Sequence, residues 1–174
     1  PYMINEANGT REYQSGFNDN ILIHSNHISQ NSTLSGGGGG IALYPGSDSY
    51  QVIWNFICGN MSFGDGGGIG HMGLSDNGLI AHNTILFNQS FNQGISVSGG
   101  GIIISGSAAL PGQLLGSGSG SVKIVSNLVQ GNLAGAGDGG GIRAAGVNGQ
   151  DVERYSNQPR NWHSVDMFNN MIVN

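Results

Sequence analysis

A six-residue word recurs along this chain: asparagine, any residue, an aliphatic, any two residues, asparagine. It reads Asn26-His27-Ile28-Ser29-Gln30-Asn31, Asn55-Phe56-Ile57-Cys58-Gly59-Asn60, Asn83-Thr84-Ile85-Leu86-Phe87-Asn88 and Asn127-Leu128-Val129-Gln130-Gly131-Asn132. After a short gap, each copy is followed by three glycines and an isoleucine: Gly38 to Ile41, Gly66 to Ile69, Gly99 to Ile102 and Gly139 to Ile142. A repeat of this kind constrains the fold before anything else does. Each copy is one small unit that cannot bury its apolar side alone, so neighbouring copies must stack.

The residues around the word have a period of two. Ile21 and Ile23 precede Asn26, and Val122 and Ile124 precede Asn127, as in strands with one buried face. A second short strand falls around Ile28, Ile57, Ile85 and Val129. The glycines lead into a third: Ile41-Ala42-Leu43, Ile69-Gly70-His71, Ile102-Ile103-Ile104 and Ile142-Arg143-Ala144. Three short strands with turns between them make one coil of a solenoid. Asparagine tolerates the left-handed backbone region that sharp corners need, so the word's asparagines are expected at corners. Stacked coils would place Asn26, Asn55, Asn83 and Asn127 in one column and Asn31, Asn60, Asn88 and Asn132 in another. At a spacing of about 4.8 Å their amides can bond up the stack. The glycine triplets mark a further corner, where φ is positive or coils approach closely. A helix is excluded, since no 3.6-residue stripe runs through these segments.

Composition narrows the class. Glycine makes up 33 of 174 residues, but with four prolines and no Gly-X-Y period this is not collagen. Only 9% of residues are charged and 37% are hydrophobic, unlike a solvated disordered chain. Five Lys plus Arg and a net charge of -5 argue against a nucleic-acid partner. No run of about 18 apolar residues occurs, so no membrane-spanning helix is expected. One cysteine, Cys58, excludes an internal disulfide framework and reads as a small strand residue.

On these words the chain resembles the right-handed parallel β-helix repeat family, over about residues 17 to 174. The aliphatic-x-x-Asn and Gly-Gly-Gly-Ile patterns are similar to those of bacterial surface and secreted β-helix proteins, including the polymorphic outer-membrane type and the pectate-lyase-like fold. The resemblance implies an all-β, right-handed parallel β-helix of about four to five coils with three short strands each. It implies a bacterial secreted or cell-surface location. It does not fix an activity, because the matching residues are structural and the family includes lyases, hydrolases, adhesins and autotransporter passengers.

The spacing of the copies points to where function sits. Successive first asparagines, ending with Asn170, lie 29, 28, 44 and 43 residues apart. Ile41 to Asn55 and Ile69 to Asn83 are both 14 residues, whereas Ile102 to Asn127 is 25 and Ile142 to Asn170 is 28. Insertions of about 105–120 and 145–163 therefore leave the same corner of coils three and four. Loops from one corner stack on one face, often the binding face. The first is small and apolar, with Ala108-Ala109-Leu110-Pro111 and Leu114-Leu115. The second is polar and aromatic. Its Asp151, Arg154, Tyr155, Arg160, Trp162 and His163 are the candidate contacts for a partner or glycan; Tyr155 and Trp162 would stack on a sugar or anchor a protein, or else cover the side of the stack. A smaller insertion, Gln89 to Ser98, leaves another corner.

Catalytic chemistry is sparse. A lyase of this fold usually has acidic residues holding Ca²⁺ and a basic residue to abstract a proton. The only lysine, Lys123, should point outward from a plain strand, as should Arg143. Asp65 and Asp138 precede glycine triplets two coils apart, about 9.6 Å, too far for one ion to bridge. No paired aspartates match the polygalacturonase pattern, so the residues lean away from an enzyme. His71 aligns with inward Leu43 and Ile104 and should be a buried, satisfied histidine. A metal site from His24, His27 and His82 is the competing reading. No cofactor is expected, with Ca²⁺ the one ion the resemblance would introduce. Asn8, Asn31, Asn60 and Asn88 lie in glycosylation sequons, three of them at corner positions.

The last copy, Asn170-Met171-Ile172-Val173-Asn174, would be completed by one more residue. A register from Asn169 also fits, but the first places Val165 and Met167 where Val122 and Ile124 sit. Residues 1–174 are thus expected to be a single β-helix segment of a longer repeat protein. The expected role is an extracellular scaffold, similar to an adhesin or passenger. Its partners would be neighbouring parts of the same chain, another protein or a polysaccharide. The alternatives are part of a polysaccharide lyase or hydrolase, or a subunit of a sheath, filament or large extracellular complex.

Overall fold

Short runs of branched, alternating side chains favour strands with one face against a core, and every repeat uses them so. In the computed structural model these strands form four parallel sheets, each taking one strand from successive repeats. The first sheet contains Leu22–His24, Gln51–Ile53, Gly78–Ala81, Val122–Val125 and Val165–Phe168. The second contains His27–Ser29, Phe56–Cys58, Thr84–Leu86, Leu128–Gln130 and Met171–Val173. The third contains Ser32–Thr33, Met61–Ser62, Gln89–Ser90 and Leu133–Ala134. The fourth contains Ile41–Leu43, Ile69–Met72, Ile102–Ser105 and Ile142–Ala145. The chain visits the sheets in turn and then returns to the first, pairing in parallel with the coil before, which is consistent with a parallel β-helix. An antiparallel hairpin, Tyr2–Asn5 with Thr10–Tyr13, precedes the stack.

The structure describes residues 2–5, 10–13, 17–153 and 162–173, with the backbone alone for 2–5, 10–13, 151 and 153. Among these, the one helical turn is Gln150–Glu153, and no helix is long and apolar enough to cross a membrane.

Four strands per coil correct the expectation of three. The additional strand lies between the second asparagine and the glycines. At two residues it is too short to show an alternation in the sequence, and it appears only through its pairing, as in Ser32↔Met61 and Ser90↔Ala134. The last repeat begins at Asn170 as expected: Val122 pairs with Val165, and Leu128 with Met171.

The core is a stack of aliphatics from the first, second and fourth sheets. Val52, Ile57, Ile69, Ile80, Ile85, Ile102, Ile104, Ile124 and Val129 are fully buried. Each contributes about 1.5–3 kcal/mol relative to exposure.

Both asparagine columns form, with one difference from expectation. The left-handed residue is not the asparagine but the residue before it. Positive φ occurs at Ser25, Trp54, His82, Ser126 and Asn169 in the first column and at Gln30, Gly59, Phe87 and Gly131 in the second. That turn swings the asparagine side chain inward, where it acts as a hydrogen-bonding bracket. Asn83 is typical. Its Oδ1 accepts from the backbone N–H and the amide of Asn55 at 2.9 and 3.0 Å. Its Nδ2 donates to Asn127 Oδ1 at 3.0 Å and to the Val52 carbonyl of the coil before at 2.8 Å. Asn88 does the same between Asn60, Asn132 and Ile57. Every buried amide group is used, which a buried polar side chain requires.

A carboxylate column supports the entry to the first sheet. Asp48 N–H donates to Asp19 Oδ1, Asp76 N–H to Asp48 Oδ1, and Ser121 N–H to Asp76 Oδ1. The glycine triplets meet both expected demands. Gly66 has φ +69°, whereas a Cβ on Gly67 would run into the Gly100 carbonyl and the backbone of Gln89.

Candidate functional site

Side chains of the fourth sheet alternate between core and outside. Ile69 and His71 face in, so Met72 and its neighbours face out. Met72 pairs with Ser105, and Ser105 with Ala145. Tyr44 follows Leu43, the partner of His71, and continues the same row. This row crosses four coils and floors an open groove of about 710 Å³. Its walls are the glycine turns at Gly36, Gly37 and Gly64 on one side and Gly106, Ser107 and Ala108 on the other. Tyr44 is 54% exposed and Asp65 supplies a carboxylate at the rim. The volume is within the range of ordinary ligand sites. Glycine matters locally: a Cβ on Gly37 would strike the Met72 methyl group.

Both large insertions rise from the end of this row, and each packs on the other. Gly106 N–H donates to the Ala145 carbonyl at 3.0 Å, Ser119 to Val147 at 2.9 Å, and Gln150 to Gly116 at 2.9 Å. The first insertion closes on itself through Ser107 N–H and the Ser117 carbonyl at 2.9 Å. The ends of the second are tied by Asn148, whose Oδ1 accepts from His163 N–H at 2.8 Å. Ser107 Oγ is shielded from water and has no hydrogen-bond partner among the described residues, which costs about 1–3 kcal/mol.

The predicted contact residues are placed unevenly. Trp162 is 48% exposed and His163 is partly buried. Both lie where the second insertion returns to the first sheet, and neither lines the groove. Arg154, Tyr155 and Arg160 lie outside the described residues, as does the side chain of Asp151. A smaller hollow of about 320 Å³ on the outer face of the first sheet holds Gln51, Lys123 and Asp166. Lys123 is exposed there, as its strand position predicts.

Three of the five histidines, His27, His71 and His82, are engaged in packing. His71 is fully buried. Its Nδ1 lies 2.9 Å from the Tyr50 hydroxyl and its Nε2 lies 2.8 Å from the Ser119 carbonyl. Only an N–H can pair with a carbonyl, so Nε2 carries the proton and Nδ1 accepts from Tyr50. Burial pushes the His71 pKa below its ordinary value, and the Ser119 and Gly73 backbone partners oppose that shift. Burial also pushes the Tyr50 hydroxyl upward. His82 stacks on Trp54, with centroids 4.5 Å apart and planes 9° from parallel. His27 meets Phe56 edge-on at 4.9 Å. Among the described residues, no three His, Cys, Asp or Glu side chains converge as a metal site.

Asp65 and Asp138 are two coils apart, with Ser98 between them. Ser98 N–H donates to Asp65 Oδ1 at 2.6 Å, and Ser98 Oγ accepts from Asp138 N–H at 3.1 Å and from Arg143 Nη1. The sequon residues Asn60 and Asn88 are fully buried, with both amide groups bonded, so neither presents an amide to a modifying enzyme in the folded chain.

Sequence reasoning did not find the Tyr44–Met72–Ser105–Ala145 row. Its members share no chemistry, so the only available signal is their common offset from the glycine triplets. No family model, curated protein or solved structure matches this chain.

Proposed function

We propose that this chain is a right-handed parallel β-helix segment of about five coils that serves as an extracellular or cell-surface scaffold. It holds a partner or glycan against the face built by its two insertions. The observation that carries this reading is the groove crossing four coils at the shared root of those insertions. A rigid row that runs along the stack suits an extended ligand, and inserted loops on one rim suit recognition. The surface location and the handedness rest on the resemblance to secreted β-helix proteins. Binding is favoured over elimination chemistry because the described lining holds one carboxylate, Asp65, and no basic side chain to abstract a proton.

The test follows from the loop geometry. Ser107 and Ser117 are already hydrogen-bonded, so residues 108–116 can be replaced by a two-residue turn that leaves Ser119 on His71. The intact chain should bind members of an array of polysaccharides and extracellular matrix proteins. The shortened chain should lose that signal and keep its β-sheet circular dichroism. Equal binding by both chains would refute the assignment of the face. Release of unsaturated products from polyuronates would install the lyase reading instead.

A further inference from the structure

The first and second sheets hold five strands each, whereas the third and fourth hold four. The stack therefore has a step, one strand deep, above Leu133–Ala134 and Ile142–Ala145. A hollow of about 460 Å³ lies on this step, with Asn132, Leu133, Gly140, Gly141 and Ile172 among its walls. Backbone donors run one way through the glycine corner. Gly66, Gly67 and Gly68 N–H donate to the Ser98, Gly99 and Gly100 carbonyls of the next coil. Gly99, Gly100 and Gly101 N–H donate in turn to Asp138, Gly139 and Gly140. Among the described residues, nothing accepts from the N–H of Gly139, Gly140 or Gly141. The second asparagine column stops in the same way. Asn88 directs its N–H and one Nδ2–H at Asn132 Oδ1, both at 2.9 Å. Asn132 is only 8% exposed, and its Nδ2 keeps the Ile85 carbonyl at 2.8 Å. Its N–H and its second Nδ2–H form the same fork, and no described residue supplies the oxygen. These five donors on one step call for acceptors.

The steric pattern stops at the same place. A Cβ on Gly40, Gly68 or Gly101 would meet a carbonyl oxygen of the next coil at 2.8, 2.6 or 2.5 Å. Gly141 holds the equivalent position before Ile142. There a Cβ would meet only methyl groups, Ile172 Cγ2 at 2.9 Å and Val129 Cγ1 at 3.6 Å. Ile172 is 53% exposed and has room to turn. Gly141 thus leaves clearance for a close backbone approach that no described residue makes.

The geometry points to this step as a docking site for an extended strand of a partner polypeptide, added in parallel to the third and fourth sheets. Strand addition uses the donors an exposed sheet edge leaves free, and its side-chain positions set the choice of partner. Here the Asn132 fork takes a carboxamide oxygen, and the glycine N–H row takes successive backbone carbonyls. Above the column Ser62–Ser90–Ala134 the strand needs a small residue, and above Ile102 and Ile142 an isoleucine. Asn132 precedes Gly139 in the chain, so the partner's asparagine must also precede its glycines, which fixes the parallel direction. A second copy of this chain does not fit. Its first coil has strands in all four sheets, so seating it on the first and second sheets would leave the third and fourth one strand short. The site rests on the parallel stack and not on the groove or the insertions.

The test is a nuclear magnetic resonance titration of the intact chain with a synthetic peptide of residues 60–72. That peptide carries the asparagine, small residue, glycine triplet and isoleucine at the required offsets. The amide signals of Asn132, Gly139, Gly140 and Gly141 should shift saturably below millimolar peptide and gain protection from hydrogen exchange. A peptide with the Asn60→Ala change should bind about tenfold or more weakly, since two hydrogen bonds to one oxygen are lost. The reversed sequence should not bind. These peptides probe the contacts without altering the chain. In the chain, Gly141→Ala should abolish the shifts yet unfold within about 4 °C of the parent, because its methyl group meets only side-chain ends. The chain with residues 108–116 shortened should bind the peptide like the intact one, so failure of the groove reading leaves this one standing. The proposal is overturned if those four amides do not shift, if the Asn60→Ala or reversed peptide binds equally, or if Gly141→Ala binds normally. It is equally overturned if the chain alone self-associates in sedimentation and Gly141→Ala abolishes that, which would make the step a contact between copies.

Discussion

Replacing Asn83 with alanine should unfasten two coils at once. Asn83 is 1% exposed and makes four side-chain hydrogen bonds. Not all of its partners suffer equally. The Asn55 amide keeps the carbonyls of Ile23 and Ile53, and Asn127 Oδ1 still accepts from the Asn83 N–H. The Asn55 N–H has no other acceptor and would be stranded in a buried corner. One orphaned buried N–H costs about 1–3 kcal/mol, and the other lost bonds about 1 kcal/mol each before relaxation. Roughly 3–5 kcal/mol is therefore expected. That is a large part of the 5–15 kcal/mol that typically holds a domain of this size. Urea unfolding followed by circular dichroism should show the midpoint falling with little change in slope. Lys123→Ala, on an exposed strand position of the same stack, should stay within about 0.5 kcal/mol. A loss below about 1 kcal/mol for Asn83→Ala would refute the bracket role of the columns.

Two further predictions separate strain from crowding and fix the pH response. Gly67→Ala should cost about 3 kcal/mol or more, because the new methyl group meets fixed backbone, whereas Gly59→Ala, with φ +64° and nothing within 4 Å, should cost about 1 kcal/mol from strain alone; urea midpoints of the pair give the comparison. His71 is held neutral by burial, so its folded pKa is depressed while the unfolded chain binds a proton below the ordinary histidine value. Stability should be level above about pH 6.5 and fall below it by up to about 1.4 kcal/mol per unit until the folded pKa is passed, and a His71→Gln variant should lose that slope.

The repeat word made the stack legible because its letters are constrained from both sides. The aliphatic at the third position must fill the core, and each asparagine must satisfy groups on two neighbouring coils. The left-handed residue escaped notice for the opposite reason. Ser25, Trp54, His82, Gln30 and Phe87 share a backbone angle and no side-chain chemistry, so no letter pattern reports them. Asparagine's own tolerance of that region suggested it, wrongly, as the residue that turns. Tyr50 was invisible as the partner of His71 because the two meet only across the coil interior, 21 residues apart. The unequal spacing of the copies located both insertions, and the structure adds that they pack together at one rim of the groove. Of the loop residues expected to contact a partner or glycan, Trp162 and His163 lie beside the first sheet and not along the groove. Where a returning loop lands depends on tertiary pairing, here of Asn148 with His163, which composition does not encode.

Each functional proposal depends on coils held in parallel register by the asparagine columns. Residue-resolved hydrogen exchange tests that dependence most directly. The backbone amides of Asn55, Asn60 and Asn83, each capped by a side-chain oxygen of the next coil, should exchange as slowly as those of the central strands. In the Asn83→Ala variant, the Asn55 amide should lose its protection while the Asn60 amide, capped by Asn88, keeps it. Unchanged protection at Asn55, or an equal loss at both positions, would contradict the account.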